Sequence, residues 1–274
     1  MNLPCKLAAL MKTQDFGKFK DWFCEYVKGF YGDDELVNEM MRLKEEHTSR
    51  VCSDTEIIAS RLGLDEQQKL LAGTIALFHD LGRFEQFRKY QTFNDFESIN
   101  HSGLAIQILR EKKILNCLDS TEIKTIEKAI AMHATKQLPG GMDVSDELFA
   151  KLIRDADKLD IYYVMIDKME DYRSRPEKYS ESLGFSDKPY LTDEVVEAVL
   201  KNCRVGYHEL KTLSDMVLIQ LGWVVDINFV VTLEEIKKRK LLGRVAEFLP
   251  DVPESKKVLA HCTEYMNERI AANG

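Results

Sequence analysis

The sequence has little glycine and little proline, 14 and 6 in 274 residues. A β-sandwich or β-barrel of this length needs many tight turns, and glycine, asparagine and proline supply them. A collagen-like or low-complexity chain needs far more of both. Long apolar runs are missing too, so no segment has the roughly 18 residues of a membrane-spanning helix. The first ten residues are mildly apolar but short, with Lys6 among them and Lys12 just beyond, and no small-residue cleavage site follows, which does not read as a signal peptide. The six cysteines are scattered with no CxxC pair, and the expectation is free thiols in a reducing cytoplasm. No lysine-arginine block interrupts a chain of formal charge −8, so the footprint of a nucleic-acid binder is absent. A hydrophobic fraction of 45% is too high for intrinsic disorder.

What is present is helical periodicity. Phe19, Trp22, Phe23, Tyr26, Val27 and Phe30 share one face of a helix. Asp33 or Asp34 caps the next helix, which runs through Leu36, Met40, Leu43, His47 and Val51 and stops at Gly63. Asp65 caps a helix ending at Leu81-Gly82, Ser98 one through Leu104 and Ile108, and Asp119 or Ser120 one through Ile126 and Met132. A long helix starts at Ser145 and reaches about Tyr172. Segment 83–97 reads as an ordered loop, 173–190 as a polar connection and 223–231 (WVVDINFVV) as the one strand or extended piece. Further helices are expected near 192–202, 207–222, 232–247 and 254–272. The expected architecture is all-α: one helical domain over 1–274, with a core at about 34–172 and a C-terminal extension at about 190–274. That extension can close a pocket or form the face of a homodimer.

Histidine is also scarce, at six residues, yet four of them fall in one series. The order is His47, His79-Asp80, His101, His133, Asp157. Each lies on an expected helix or at its end, and imidazole with carboxylate suits Mn, Fe, Co, Ni or Zn. Six ligands exceed the needs of a single open-sided metal and suit two, roughly 3.5–4 Å apart with one carboxylate between them. The pair His79-Asp80 sits inside the apolar run 77–82, and buried polar groups need partners.

This order resembles the HD superfamily of metal-dependent phosphohydrolases, whose motif is H…HD…D. The matching residues are His47 in EHTSRV, His79-Asp80, and Asp157 in DADKLD; His101 and His133 match the extra histidines of the six-ligand subset. The resemblance implies a helical HD bundle and two divalent ions (Mn, Fe, Co, Ni, Zn or Mg) held by His47, His79, Asp80, His101, His133 and Asp157. Asp157 rather than Asp155 is taken as the ligand because the late motif reads alanine-Asp-basic-Leu. The implied reaction is hydrolysis of a phosphomonoester or phosphodiester of a small molecule or nucleotide. The same ligand set occurs in mixed-valent di-iron oxygenases that cleave C–C or C–P bonds, and the ligands alone do not separate the two. After His133 the chain reads ATKQLPGG, with neither the adjacent histidine nor the GYP of the cyclic-dinucleotide diesterases.

Asp80 takes a catalytic role as the bridging carboxylate. Arg83 and Lys136, each three residues past an HD-type ligand, are candidate catalytic and phosphate-binding cations, and Arg50, near His47, is a third substrate-binding candidate. Phe84, Phe87, Tyr90, Phe93 and Phe96 recur every three residues, as core packing or as a lid that stacks on a base. His208 and His261 lie outside the pattern and are expected at the surface or in packing.

Overall fold

The computed structural model describes residues 11–176, 186 and 188–272. Among these residues there is no strand, and an isolated bridge joins Ser186 to Thr212. Among the described residues no helix is long and apolar enough to cross a membrane. The chain divides into two compact units, residues 1–157 and 158–274.

The first unit contains α1 (Thr13–Lys28), α2 (Glu35–Arg61), α3 (Glu66–Phe78), α4 (Gly82–Tyr90), α5 (His101–Glu111), α6 (Ser120–Met132) and the first half of α7 (Val144–Ser174). Local chemistry sets these limits. Asp34 accepts from the amides of Leu36 and Val37 to start α2, and Gly63 takes a positive φ of 72° just beyond its end. Asp65 and Asp119 each form a capping box at the start of α3 and α6. The aromatic face of α1 is core: Phe19 and Trp22 meet the ring of Phe78 on α3, and Phe23 meets Phe84 on α4. Phe78 and Phe84 are fully buried. Removing a buried ring of this size costs about 3–5 kcal/mol.

Three expectations in this unit are corrected. Segment 83–97 is not a loop throughout, because 82–90 forms α4, which buries Phe84, Gln86 and Phe87. The helix before it ends at Phe78 rather than at Gly82. The cap of α5 is Asn100, which accepts from the Gly103 amide, and not Ser98, whose hydroxyl donates to the Asn94 carbonyl. Of the aromatic series, Phe84 and Phe87 are core and Phe93 packs on the Phe87 ring, whereas Tyr90 and Phe96 are exposed.

The second unit holds the rest of α7 with α8 (Asp193–Leu200), α9 (Leu213–Gly222), α10 (Val230–Lys238), α11 (Leu241–Ala246) and α12 (Pro253–Ala271). Its core joins Tyr162 and Ile166 to Val199, Val217, Leu221, Leu233, Ile236, Val245, Val258 and Cys262. The stretch 223–231 is not a strand. Trp223–Asp226 is a short 3-10 turn and α10 starts at Val230, so its apolar residues face a helical core instead of a sheet. The expected helix 232–247 is broken at Lys240, which has a φ of 54°. The expected helix 207–222 starts only at Leu213, after a capping box made by Thr212 and Asp215. Lys158 pairs with Asp226 at 2.8 Å, and His261 lies at the surface, 2.9 Å from the Asn202 amide oxygen. Most of the polar connection expected at 173–190 lies outside the described residues.

Among the glycines of the first unit the most crowded is Gly82, where α4 begins against the first turn of α5. A Cβ there would lie 2.1 Å from the His101 carbonyl oxygen and 2.9 Å from the Ala105 nitrogen, both main-chain atoms that cannot swing aside. Gly82→Ala should therefore destabilise the chain by about 1–3 kcal/mol, the usual cost of overpacking. Thermal or denaturant unfolding measures this, and an unchanged midpoint would contradict the packing described.

Candidate metal centre

Five elements and one turn of the first unit converge on a buried cluster. His47 comes from the middle of α2, His79 from the C-cap of α3, Asp80 from the turn that follows, His101 from the first residue of α5, His133 from the C-cap of α6 and Asp157 from α7. His47, His79, Asp80, His101 and His133 are 0–5% exposed.

The two helix ends solve one local problem in the same way. The last carbonyls of a helix lack intrahelical partners. At α3, Nδ1 of His79 lies 2.7 Å from the Ala76 carbonyl, and at α6, Nδ1 of His133 lies 2.7 Å from the Ile130 carbonyl. A carbonyl only accepts, so each Nδ1 carries the proton and each neutral ring presents a bare Nε2. His101 reaches the same state by another route: its Nδ1 donates to the Asp95 carboxylate, at 2.7 and 2.9 Å from the two oxygens.

The Nε2 atoms then face one another. His101 and His133 approach to 3.1 Å, and His47 and His79 to 3.3 Å. In the first pair both rings have spent their proton on the far side, so two lone pairs point at each other. That arrangement is poor packing for neutral imidazoles and a ready site for a cation. The C-terminal ends of α3 and α6 also bring the negative poles of two helices to it.

Asp80 divides its carboxylate between the pairs. Oδ1 lies 3.4 Å from His101 Nε2 and 3.7 Å from His133 Nε2. Oδ2 lies 3.5 Å from His47 Nε2 and 3.8 Å from His79 Nε2. Asp157 joins the second group, with Oδ1 3.2 Å from His47 and 3.8 Å from His79. Two sets of donor atoms thus lie close enough to share an ion each: His47, His79 and Asp80, and Asp80, His101 and His133.

Two cations flank Asp80. Lys44 Nζ sits 2.7 Å from Oδ2, and Arg83 Nε 3.5 Å from Oδ1. Lys44 is not among the residues singled out from the sequence. It lies three residues before His47 on α2 and so on the same helical face, the one signal that could have singled it out. Asp95, behind His101, was missed for a different reason, since it belongs to an irregular segment that carries no periodicity. Arg154 was missed as well; it is buried and donates to the carbonyls of Met132, His133 and Thr135, closing the end of α6.

The three predicted cations fare differently. Arg83 is at the cluster, but its Nη1 is engaged by Gln86 Oε1, the Phe93 carbonyl and Asp95 Oδ1. Arg50 Nη1 lies 3.7 Å from Glu46 Oε2, one turn earlier on α2. Lys136 is exposed in the connection after α6.

Burial pushes the His79 imidazole down to about 4, against the pull of Asp80 and Asp157. Burial also lowers His101, against the pull of Asp95 and Asp80. For Asp80 burial acts upward, but Lys44 and then His79 hold its carboxyl well below the usual carboxylate range. Asp157 is lowered too, because the hydrogen bond and charge of His47 outweigh its burial. These shifts favour neutral imidazole at His79 and His101 and ionised carboxylate at Asp80 and Asp157, the forms that bind divalent metals.

The fold and the cluster define an all-α protein with a buried histidine-aspartate centre of the metal-binding kind. Residues 45–162 match the HD domain family, a stretch that encloses the whole cluster, and the chain carries an HD domain. HD domains form a superfamily of metal-dependent hydrolases, generally phosphohydrolases. No curated protein and no solved structure matches the chain.

The lowered imidazoles have a consequence for the protein freed of metal by a chelator. Below pH 6.5 the unfolded chain takes up protons at His79 and His101 that the folded chain refuses, so stability present above that pH is lost as the pH falls towards 4. The carboxylates are depressed from an already lower value and act further into acid. The guanidinium midpoint should drop between pH 7 and pH 5, and less so in His79→Gln. Equal midpoints at the two pH values would contradict the assignment.

Proposed function

We propose that this chain hydrolyses a phosphomonoester or phosphodiester of a small molecule or nucleotide at a binuclear metal site. One metal would be held by His47, His79, Asp80 and Asp157, and the other by Asp80, His101 and His133. The observation that carries this reading is the division of the Asp80 carboxylate, one oxygen towards each histidine pair. Divalent ions held by these residues would supply a water acidic enough to attack near neutral pH and positive charge for in-line displacement at phosphorus.

The protein's own groups support the same chemistry. Their rotamers are fixed before substrate arrives, by helix-end carbonyls at His79 and His133 and by Asp95 at His101. The rim of the cluster includes the partly exposed side chains of Lys44, Arg83 and Asp157, each 16–18% exposed. Two of the three are cations, which suits an anionic phosphoryl group. Lys44 is better placed for phosphate contact than the two lysine and arginine candidates farther out. It lies on Asp80, whereas Lys136 is exposed and Arg50 is paired with Glu46. Arg83 anchors one nitrogen in the scaffold and keeps its charge beside Asp80, so its main effect is on the position of that carboxylate.

Metal-stripped protein reloaded with Mn or Co and offered a panel of phosphomonoesters and phosphodiesters tests the reading. Phosphate or phosphomonoester release should proceed without oxygen, and Asp80→Ala should lose bound metal and activity together. Lys44→Met should raise KM by about tenfold, the order of one charge-assisted hydrogen bond, with a smaller effect on kcat. Turnover that requires iron and consumes oxygen would overturn hydrolysis in favour of the oxygenase chemistry.

A further inference from the structure

The two halves of the cluster are unequal. One offers two imidazoles and two carboxylates, His47, His79, Asp157 and the Oδ2 side of Asp80. The other offers His101, His133 and the Oδ1 side of Asp80 alone. By donor count and by charge the second half is the weaker. This half also has a carboxylate directly behind one of its ligands: Asp95 accepts the Nδ1 proton of His101, whereas Nδ1 of His79 and of His133 donates to a main-chain carbonyl. A carboxylate behind an imidazole fixes the ring and strengthens its other nitrogen as a donor.

Resting on the binuclear reading above, we infer that Asp95 is the positioning residue that makes the Asp80–His101–His133 half competent, so that this one side chain decides whether the chain holds one metal or two. Asp95 is built into place for that role. Its Oδ1 accepts from Arg83 Nη1 at 2.8 Å and from Gln86 Nε2 at 2.9 Å. Gln86 is fully buried on α4, and the same Nε2 also reaches Ser98 Oγ and the Ile99 carbonyl. Arg83 further holds the Phe93 carbonyl. The irregular segment from Phe93 to Ile99 is thereby strapped to α4, and the segment carries the carboxylate that faces His101. Arg83 leans on both Asp95 and Asp80, so its charge is shared between the ligand and the group behind the ligand. Lys44 occupies the equivalent place on the Oδ2 side. With one cation on each side, Asp95 matches for the second half the charge that Asp157 gives the first.

The experiment is a Mn titration by calorimetry, with metal content after dialysis, on wild type, Asp95→Asn and Asp95→Glu. Asparagine keeps the size and a hydrogen-bond acceptor but removes the charge. Wild type should take up two ions per chain. Asp95→Asn should keep the tighter ion unchanged and weaken the other by about 10–100-fold, the usual loss when such a partner is removed. Asp95→Glu, which keeps the charge, should recover the second ion in part. Thermal unfolding of the metal-free variants reports whether the fold is intact, which a merely structural role would not leave so. Asp95→Asn binding two ions with wild-type affinities, or weakening both alike, would overturn the inference. A wild type that takes up fewer than two ions would overturn the binuclear reading and this inference with it.

Discussion

Everything at this centre depends on one carboxylate being shared. Asp80 is buried, ionised and placed between two pairs of imidazoles, one oxygen to each. An isolated carboxylate in such a place would be very costly. Here Lys44 and Arg83 lie against its two oxygens, and the Nε2 atoms of His79, His101 and His133 turn their lone pairs inward. At the His101–His133 pair acceptor thus faces acceptor, an arrangement that a divalent cation would relieve.

The helices serve this arrangement at their ends more than along their lengths. Histidine at the C-cap of α3 and of α6 satisfies an orphan carbonyl and fixes a tautomer in one stroke. The close approach of α4 to α5 at Gly82 sets where His101 can stand. The apolar packing of α1 on Phe78 and Phe84 holds the end of α3 and the start of α4, and hence the turn between them that carries Asp80. Sequence, packing and chemistry meet in that turn.

The candidate ligands were legible because they are rare residues in a characteristic order on periodic helices, and His79-Asp80 stood out as a polar pair in an apolar run. The capped helix starts at Asp34, Asp65 and Asp119 were legible for the same local reason. What escaped was set by tertiary structure. Lys44 looks like any charge on an amphipathic helix until the fold carries it to Asp80, far along the chain. Asp95 lies in a segment without periodicity, where only its hydrogen bonds give it meaning. Helix α4 was hidden because an aromatic every three residues suits a loop as readily as a short buried helix. The run 223–231 was hidden because a short apolar stretch reads equally as strand or buried helix, and its neighbours decide.

The central claim, that Asp80 joins two metals, is tested most directly by electron paramagnetic resonance of the Mn-loaded protein. Two Mn ions sharing the Asp80 carboxylate should give the spectrum of an exchange-coupled pair, and Asp80→Ala should abolish it. A wild-type spectrum of isolated, uncoupled ions at full loading would contradict the account.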